Sequence, residues 1–397
     1  MRSFGIVGLG IVVATIAALY IAWVTAKDPK FNPASFEDKP LMARLAPIEA
    51  ATTLAQYLDE GGSPSTMVVI SFSERAVTGI DLRELGASNV ADPFEALAGA
   101  DISPIINGNA DGFPVLSVPF SKLLPSGSSG TSHIGTGTNF PEHAEEANSS
   151  SVFQFPKFGP ASPARTKVNA VEGVLLDYEV ELCVRFDRDL HSPADYDDAV
   201  KAFFLCGDFT NRNALINLAD TNNLNSGYGF SDAKSGPDFF PTGPFLVVPK
   251  DWAAFVDDLR MTTNVNGEPR QDARGKEMTL DFRQLVEKAF GDMSEERFLY
   301  RDSFVPLTND NRIDRSSTVM SGTAEGTIFT PPSRRDLIEA TCEYLLRGGP
   351  FGDAGFLDVA RKRFIENELA GGHFLQPGDL VTYDSNYLGS IQIQVAN

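Results

Sequence analysis

One stretch of the chain decides its fold: Leu175-Leu176-Asp177-Tyr178-Glu179-Val180-Glu181-Leu182-Cys183-Val184. Polar and apolar residues alternate along it, which is typical of a half-buried β-strand because successive side chains of a strand point to opposite faces. The alternation predicts that Asp177, Glu179 and Glu181 share one face, while large apolar side chains share the other. Three acids are therefore expected side by side on one surface of a sheet.

Glu179 and Glu181 lie two residues apart, about 7 Å along a strand. Long side chains at this spacing can converge on one cation, and no basic residue stands among the acids before Arg185. Like charges on the same face repel each other, and a bound cation would relieve that repulsion. A solvated sheet face explains the pattern equally well, so this stretch alone leaves both interpretations open.

Composition bounds the class of protein. The 397 residues suffice for one large or two moderate domains. Acidic residues number 53 against 33 basic ones, for a formal charge of -20, which argues against nucleic acid as a partner because such binding relies on clustered Lys and Arg. The long, irregular gaps between Cys183, Cys206 and Cys342 predict buried thiols rather than a disulfide framework or a zinc site.

The N-terminus carries an uncharged apolar segment from Phe4 to Val24. Its length predicts a transmembrane helix, with membrane contact through residues 4–24. A cleaved signal peptide is the alternative, since Val24-Thr25-Ala26 offers small residues at suitable places, and the protein would then be secreted or periplasmic. The preferred interpretation is a single-pass anchor in the inner or cell membrane, with the body of the protein outside the cytoplasm.

The pattern of elements predicts three parts: an anchor or signal segment at residues 1–30, a small mixed α/β domain at 31–125 and a larger domain at 126–397. Within the second part, residues 47–60 have helical spacing of apolar side chains and end at a Gly-Gly pair, which predicts a helix. A segment rich in Gly, Ser and Thr, residues 124–138, marks the boundary with the third part.

His143 and Glu146 are three residues apart in a predicted helical turn that begins at Pro141. A carboxylate held against an imidazole fixes its tautomer and raises its basicity, which is the usual construction of a general base. An acidic helix start that suits the helix dipole is the alternative.

Several motifs follow one another in an order that resembles the fumarylacetoacetate hydrolase family, over roughly residues 135–396. They are Asn139–Glu146, Pro156-Lys157-Phe158, Asp177–Leu182, Asp208–Arg212, Lys234–Pro244, Val265-Asn266-Gly267 with Gln271, Ser321–Gly326 and Pro377-Gly378-Asp379. The resemblance implies an α+β fold rich in β-structure, with a mixed β-sandwich roll of the fumarylacetoacetase C-terminal type in the larger domain. It also marks a helical insert at about residues 331–372.

The resemblance places Glu179, Glu181 and Asp208 on metal-ligand positions. The implied cation is Mg²⁺, with Ca²⁺ or Mn²⁺ as possible substitutes. Three carboxylates and waters suit a hard cation that keeps open positions for substrate oxygens.

The resemblance also implies catalytic and substrate-binding residues. His143 with Glu146 matches the family dyad that activates water or moves a proton, and Lys234 matches the lysine near the substrate carbonyl. Arg212 and Thr323 match substrate-contacting positions, where the planar fork of an arginine suits a carboxylate.

The implied function is a divalent-metal-dependent hydrolase that cleaves a carbon-carbon bond in an acylpyruvate or related β-dicarbonyl 2-oxo acid through an enolate. A decarboxylase, isomerase or hydratase acting on oxaloacetate or a 2-oxo-alkenoate is the alternative within the family. A non-catalytic protein that binds metal or ligand is the alternative outside it. We also expect a homodimer.

Overall fold

The computed structural model describes residues 14–149, 151–353 and 355–397. The chain forms two compact units. The first, which we call the main unit, comprises Pro33–Thr327 and Leu375–Asn397, and the second, which we call the helical unit, comprises Met1–Asn32 and Ile328–Phe374. The predicted boundary between residues 125 and 126 stays a prediction.

Strands outnumber α-helices in the described part of the chain. The strands are β1 Ala51–Leu58, β2 Pro64–Phe72, β3 Ala76–Asp81, β4 Leu116–Pro119, β5 Ser132–Gly137, β6 Phe153–Phe158, β7 Arg165–Asn169, β8 Leu176–Asp177, β9 Val180–Phe186, β10 Lys201–Gly207, β11 Thr210–Asn211, β12 Leu246–Pro249, β13 Arg260–Val265, β14 Glu268–Arg274, β15 Phe298–Tyr300, β16 Ser303–Val305, β17 Val319–Met320, β18 Leu380–Ser385 and β19 Gly389–Ala396. The helices are α1 (residues 14–24), α2 Pro93–Gly99, α3 Ser103–Ile106, α4 Pro141–Glu146, α5 Asp195–Asp198, α6 Arg212–Leu218, α7 Phe230–Lys234, α8 Trp252–Asp258, α9 Phe282–Asp292, α10 Arg334–Leu346 and α11 Phe356–Gly371.

A mixed sheet of ten strands dominates the main unit, in the order β4-β3-β2-β1-β12-β10-β9-β17-β5-β6. Strands β9 and β10 are antiparallel neighbours near its middle, with Val180 opposite Gly207 and Glu181 opposite Cys206. Every residue of both strands is buried, so both faces of the sheet are covered at this point. This buried pair is the base from which the acidic side chains project.

The predicted acidic strand is divided in two. Strand β8 ends at Asp177 and β9 begins at Val180, and the Asp177 carboxylate accepts a hydrogen bond from the backbone N–H of Tyr178 at 2.8 Å between them. Strand β8 pairs with β11 instead of joining the large sheet. Asp177 therefore belongs to a different strand from Glu181, although its carboxylate shares the Arg212 guanidinium with that of Glu179.

A second sheet, in the order β14-β13-β18-β19-β7, completes the framework of the main unit. Strand β10 packs against β18 and β19, and Tyr383 of β18 is fully buried between the sheets beside Phe209. Parallel pairs, β17 with β5 and β19 with β7, occur among antiparallel ones. The predicted α+β class with mixed sheets fits this architecture.

The first four strands extend the large sheet. Strand β1 pairs antiparallel with β12, with Ala51 opposite Pro249 and Leu54 opposite Leu246. The helix predicted for residues 47–60 is therefore wrong, because pairing with β2 and β12 on either side overrides the helical spacing of the apolar residues.

A disulfide joins Cys183 of β9 to Cys206 of β10. The prediction of buried free thiols is therefore wrong for these two residues, and it is also wrong for Cys342, which is free but exposed. The bonded pair is 23 residues apart in sequence. Spacing alone could not show that neighbouring strands of one sheet bring these sulfurs together.

The helical unit corrects the membrane prediction. Residues 1–13, which hold the first part of the predicted span, lie outside the described residues. Over the part of the chain that the structure describes, no helix combines the length and apolar character needed to cross a bilayer. The described residues therefore do not support the transmembrane helix predicted at residues 4–24, nor the membrane location that depended on it.

The end of α1 has polar partners within the helical unit. The indole N–H of Trp23 donates to Glu339 Oε1 at 2.7 Å, and the Arg335 guanidinium lies 4.6 Å from the centre of the Trp23 ring. Trp23 is thus part of the polar contacts within the helical unit.

Candidate functional site

Three carboxylates come together where β9 begins and β10 ends. Glu181 belongs to β9, Glu179 immediately precedes it, and Asp208 follows the end of β10. The antiparallel pairing continues past the strands, since the Asp208 N–H donates to the Glu179 carbonyl at 2.9 Å. One carboxylate oxygen of each residue lies within 4.8 Å of the other two, and all three side chains are buried. We call these residues the acidic centre.

Two cations contact Glu179 from different elements. Lys234, the last residue of α7, places its Nζ 2.6 Å from Glu179 Oε2 and 2.9 Å from Asp208 Oδ2. Arg212, the first residue of α6, donates to Glu179 Oε1 at 2.9 Å and to Asp177 Oδ2 at 2.8 Å. Burial would raise the pKa of Glu179, but Lys234, then Arg212 and then His143 outweigh burial and lower that pKa to about 2. Glu179 is therefore an anion.

Glu181 has a different environment. Its Oε2 accepts the Gly322 N–H at 2.9 Å, whereas its Oε1 is buried and has no hydrogen-bond partner among the residues that the structure describes. Burial raises the pKa of Glu181 well above its ordinary value, and the Asp208 carboxylate raises it further. A buried carboxylate oxygen without a partner is costly. Glu181 thus lacks a positive partner at the point where the three acids converge.

A third buried cation contacts the acidic centre from behind. Lys157 of β6 is fully buried, and its Nζ lies 2.6 Å from Asp208 Oδ1. The buried carboxylates of this cluster outnumber its buried cations by one; the carboxylates are Asp177, Glu179, Glu181 and Asp208, and the cations are Lys157, Arg212 and Lys234.

The donor set fits a hard divalent cation. Carboxylate oxygens are the ligands that Mg²⁺, Ca²⁺ and Mn²⁺ prefer. The unpartnered oxygen of Glu181 is the observation that calls for one more positive charge at this point. Glu179, Glu181 and Asp208 would hold such an ion.

The predicted dyad is formed. His143 Nδ1 lies 2.9 Å from Glu146 Oε2 within α4, and the two side chains are 13% and 10% exposed. The other oxygen of Glu146 accepts the Gly326 N–H at 2.9 Å, which fixes the carboxylate. With Nδ1–H donating to Glu146, Nε2 is the nitrogen that can accept a proton. His143 is close enough to Glu179 to lower the pKa of that residue.

Thr323 and Gln271 brace the backbone of the acidic centre. Thr323 Oγ1 donates to the Val180 carbonyl at 2.9 Å and accepts from Gln271 Nε2 at 2.9 Å, while Gln271 Oε1 accepts the Val180 N–H at 3.2 Å. Val180 separates Glu179 from Glu181, so these amide contacts hold the two glutamates in register. The predicted role of Thr323 in binding substrate stays a prediction.

The structure therefore brings the acidic centre together with Arg212 and Lys234, and it forms the pair of His143 with Glu146. Their roles as ligands, catalysts and substrate contacts stay predictions. Lys157 had no role assigned from sequence beyond its place in a family motif. A lysine within the apolar strand Phe153–Phe158 was the available signal, because a fully buried lysine requires a carboxylate partner.

Comparison with known proteins gives one family match. The model of the fumarylacetoacetate (FAA) hydrolase C-terminal domain matches residues 132–396. No curated protein matches the chain.

Solved structures with a similar fold have low sequence identity. A candidate HpcE protein from Mycobacterium smegmatis is 18% identical with a TM-score of 0.51, and the alignment covers 86% of this chain and 99% of that one. A 2-hydroxyhepta-2,4-diene-1,7-dioate isomerase from Mycobacterium marinum is 17% identical with a TM-score of 0.48, covering 87% of this chain and 98% of that one. A fumarylacetoacetate hydrolase from Exiguobacterium antarcticum is 17% identical with a TM-score of 0.49, covering 87% and 99%. The first of these likenesses shows a shared fold.

Proposed function

The chain belongs to the fumarylacetoacetate hydrolase family, whose members are enzymes, and on that premise we propose that it is a metal-dependent hydrolase of carbon-carbon bonds. The proposed substrates are acylpyruvates or related β-dicarbonyl 2-oxo acids, and the proposed cofactor is Mg²⁺. The observation that carries the proposal is the unpartnered Glu181 oxygen at the convergence of three buried carboxylates. The dyad of His143 and Glu146 supplies the base that hydrolysis requires.

A bound divalent cation would act as a Lewis acid that polarises the substrate oxygens. Water attacks the acyl carbonyl carbon, and His143 Nε2 accepts the proton that the water loses. Glu146 keeps Nδ1 protonated and stabilises the imidazolium, as a carboxylate does in other His–acid pairs. Lys234 presents an ammonium that stabilises negative charge developing on a substrate oxygen.

The bond between the acyl carbon and the adjacent methylene then breaks, and its electron pair forms the enolate of pyruvate. A proton returns from the imidazolium to the methylene carbon. The products are a carboxylic acid and pyruvate, and one water is consumed. The Lys234 ammonium suits this role because burial would lower its pKa, whereas Asp208 and then Glu179 raise that pKa above its ordinary value.

The test is a product analysis with the full-length protein. Acylpyruvates of increasing chain length and oxaloacetate are incubated with the enzyme in the presence of Mg²⁺ and, separately, with a chelator. We expect equal amounts of pyruvate and the matching carboxylic acid, and only with Mg²⁺. Carbon dioxide from oxaloacetate without acylpyruvate cleavage would overturn the hydrolase proposal in favour of a decarboxylase. Metal binding without any product would favour a non-catalytic protein.

A further inference from the structure

Lys157 is a buried cation whose three ammonium hydrogens each have an acceptor at hand. The residue lies in β6 and is 0% exposed. Its Nζ donates to Asp208 Oδ1 at 2.6 Å, to the Lys234 carbonyl at 2.5 Å and to the Phe239 carbonyl at 3.3 Å. An ammonium group has three donors and no acceptor, so this geometry satisfies it fully.

These acceptors belong to two separate parts of the site. Asp208 follows β10 and is a member of the acidic centre, whereas Lys234 ends α7 and Phe239 lies in the segment that follows this helix. We call residues 234–239 the lysine segment. Asp208 lies between the two lysines, with Oδ1 on Lys157 and Oδ2 at 2.9 Å from Lys234. Lys157 thus connects the backbone of the lysine segment directly to a carboxylate of the acidic centre.

We propose that Lys157 is a positioning residue, which holds the Asp208 carboxylate by Oδ1 in the orientation in which it would bind a cation with Glu179 and Glu181, and which fixes the backbone of Lys234 and Phe239. This inference rests on the proposed function. In this role Lys157 contacts neither the substrate nor the metal. Partners of this kind orient the ligands of a metal site, and their loss typically costs about 10–100-fold in metal affinity.

Simple electrostatics predicts the opposite effect. Lys157 is a positive charge next to a cation site, so its removal should strengthen binding of Mn²⁺ if charge alone mattered. Positioning of Asp208 predicts that binding weakens. The sign of the change therefore separates the two roles.

Lys201 provides a matched control. It is a lysine of β10 that is 9% exposed, and its Nζ donates to the Asp197 carbonyl at 3.1 Å and lies 4.6 Å from the centre of the Tyr196 ring. It stands in the same sheet, at the opposite end of β10 from Asp208. Replacing it removes a buried ammonium without touching the acidic centre.

The experiment measures Mn²⁺ binding to the full-length protein by electron paramagnetic resonance of the free ion, with thermal unfolding of the metal-free protein alongside. We expect Lys157→Met to weaken Mn²⁺ binding about 10–100-fold and Lys201→Met to change it less than about twofold. Unchanged or tighter binding by Lys157→Met would overturn the inference. If the wild-type protein bound no Mn²⁺, the proposed function would fail first, and that outcome is distinguishable from failure of Lys157 alone.

A double-mutant cycle keeps the test decisive if Lys157→Met does not fold. Asp208→Asn is compared with the double variant Lys157→Met/Asp208→Asn, in which no unpaired charge is left between these two positions. If Lys157 acts through Asp208, the second substitution should change the residual Mn²⁺ affinity of Asp208→Asn less than about twofold, a strongly non-additive result. A further tenfold loss in the double variant would contradict the proposed route through Asp208.

Discussion

Two glutamates in different units of the molecule have opposite environments. Glu181 of the main unit has one partnered oxygen and one buried oxygen without a partner, and burial followed by Asp208 raises its pKa. Glu339 of the helical unit is surrounded by donors on both oxygens. A carboxylate that its own neighbours satisfy is part of the structure, whereas one that they leave unsatisfied has room for a ligand.

The partners of Glu339 make the contrast concrete. Its Oε1 accepts from Trp23 at 2.7 Å and from Arg335 at 3.1 Å, and its Oε2 accepts from Asn367 at 2.9 Å and from Arg363 at 3.2 Å. Burial would raise the pKa of Glu339, but the hydrogen bonds from Trp23, Asn367, Arg335 and Arg363 lower it to about 2. Glu339 therefore needs no added cation.

The largest expected effect is a loss of metal affinity, which should follow replacement of Glu181 but not of Glu339. Glu181→Gln removes one carboxylate of the acidic centre, and we expect Mn²⁺ or Mg²⁺ affinity to fall more than about 100-fold, beyond the range for indirect partners. Glu339→Gln should leave that affinity unchanged. Titration calorimetry of both variants measures these affinities. Equal affinities for wild type and Glu181→Gln would contradict the proposed difference between the two glutamates.

The free energy of unfolding should respond to the two substitutions in the opposite way: it should fall for Glu339→Gln and not for Glu181→Gln. A raised pKa in the folded state means that ionised Glu181 costs stability at neutral pH, so Glu181→Gln should preserve or increase the free energy of unfolding of the metal-free protein. Glu339→Gln should lower that free energy by about 2 kcal/mol, because hydrogen bonds to a charged group are lost. Urea unfolding without metal measures both values.

Replacement of His143 should affect catalysis without affecting metal binding. His143→Ala should reduce kcat about 10²–10⁴-fold, the usual contribution of a general base, while metal affinity stays as in wild type because His143 is not a member of the acidic centre. Steady-state kinetics with an acylpyruvate at saturating Mg²⁺, paired with calorimetry, gives both numbers. Unchanged kcat would remove the dyad from the proposed mechanism.

The cysteines provide a further contrast between the units. Cys183 and Cys206 cross-link β9 and β10, whereas Cys342 of α10 is free and exposed. Replacing both bonded cysteines by alanine should lower the free energy of unfolding by about 2–4 kcal/mol. Cys342→Ala is the control and should change it by less than about 0.5 kcal/mol. Denaturant unfolding without reductant measures these differences.

The smallest effect is a dependence on pH. The folded-state pKa of Glu339 is about 2, below its ordinary value of 4.5. The stability that ionised Glu339 contributes is therefore present above pH 4.5 and is lost as the pH falls toward 2. The difference in unfolding free energy between wild type and Glu339→Gln should shrink over this interval. A difference that stayed constant between about pH 5 and about pH 2.5 would contradict the lowered pKa.

The acidic centre could be predicted from sequence because its ligand candidates fall in short motifs. Glu179 and Glu181 are two residues apart, and the alternation around them correctly predicts a common direction for both side chains. The break between β8 and β9 was not predicted, because β8 pairs with β11, which lies farther along the chain, and alternation does not encode that pairing. Asp208 was predicted as a metal ligand only from the family resemblance, because its approach to Glu179 depends on the register of β9 and β10.

Features that depend on contacts between distant parts of the sequence were harder to predict. The helix predicted at residues 47–60 failed because Leu54 and its neighbours are placed by strands that come from distant parts of the sequence, with Leu246 opposite Leu54. The disulfide was missed for the same reason. The transmembrane prediction rested on the length of an uncharged apolar segment. Nothing in that segment indicated that Trp23 would donate a hydrogen bond to Glu339, more than three hundred residues away.

The pairing of β1 with β12 has a consequence for how the enzyme can be shortened. The family match begins at residue 132, which suggests a convenient place to truncate the chain. Removal of β1 would nevertheless leave the backbone N–H and C=O groups of Leu246–Pro249 facing water along an open margin of the large sheet. Such margins recruit strands from other molecules, so a truncated enzyme would tend to self-associate through the sheet that carries its acidic centre.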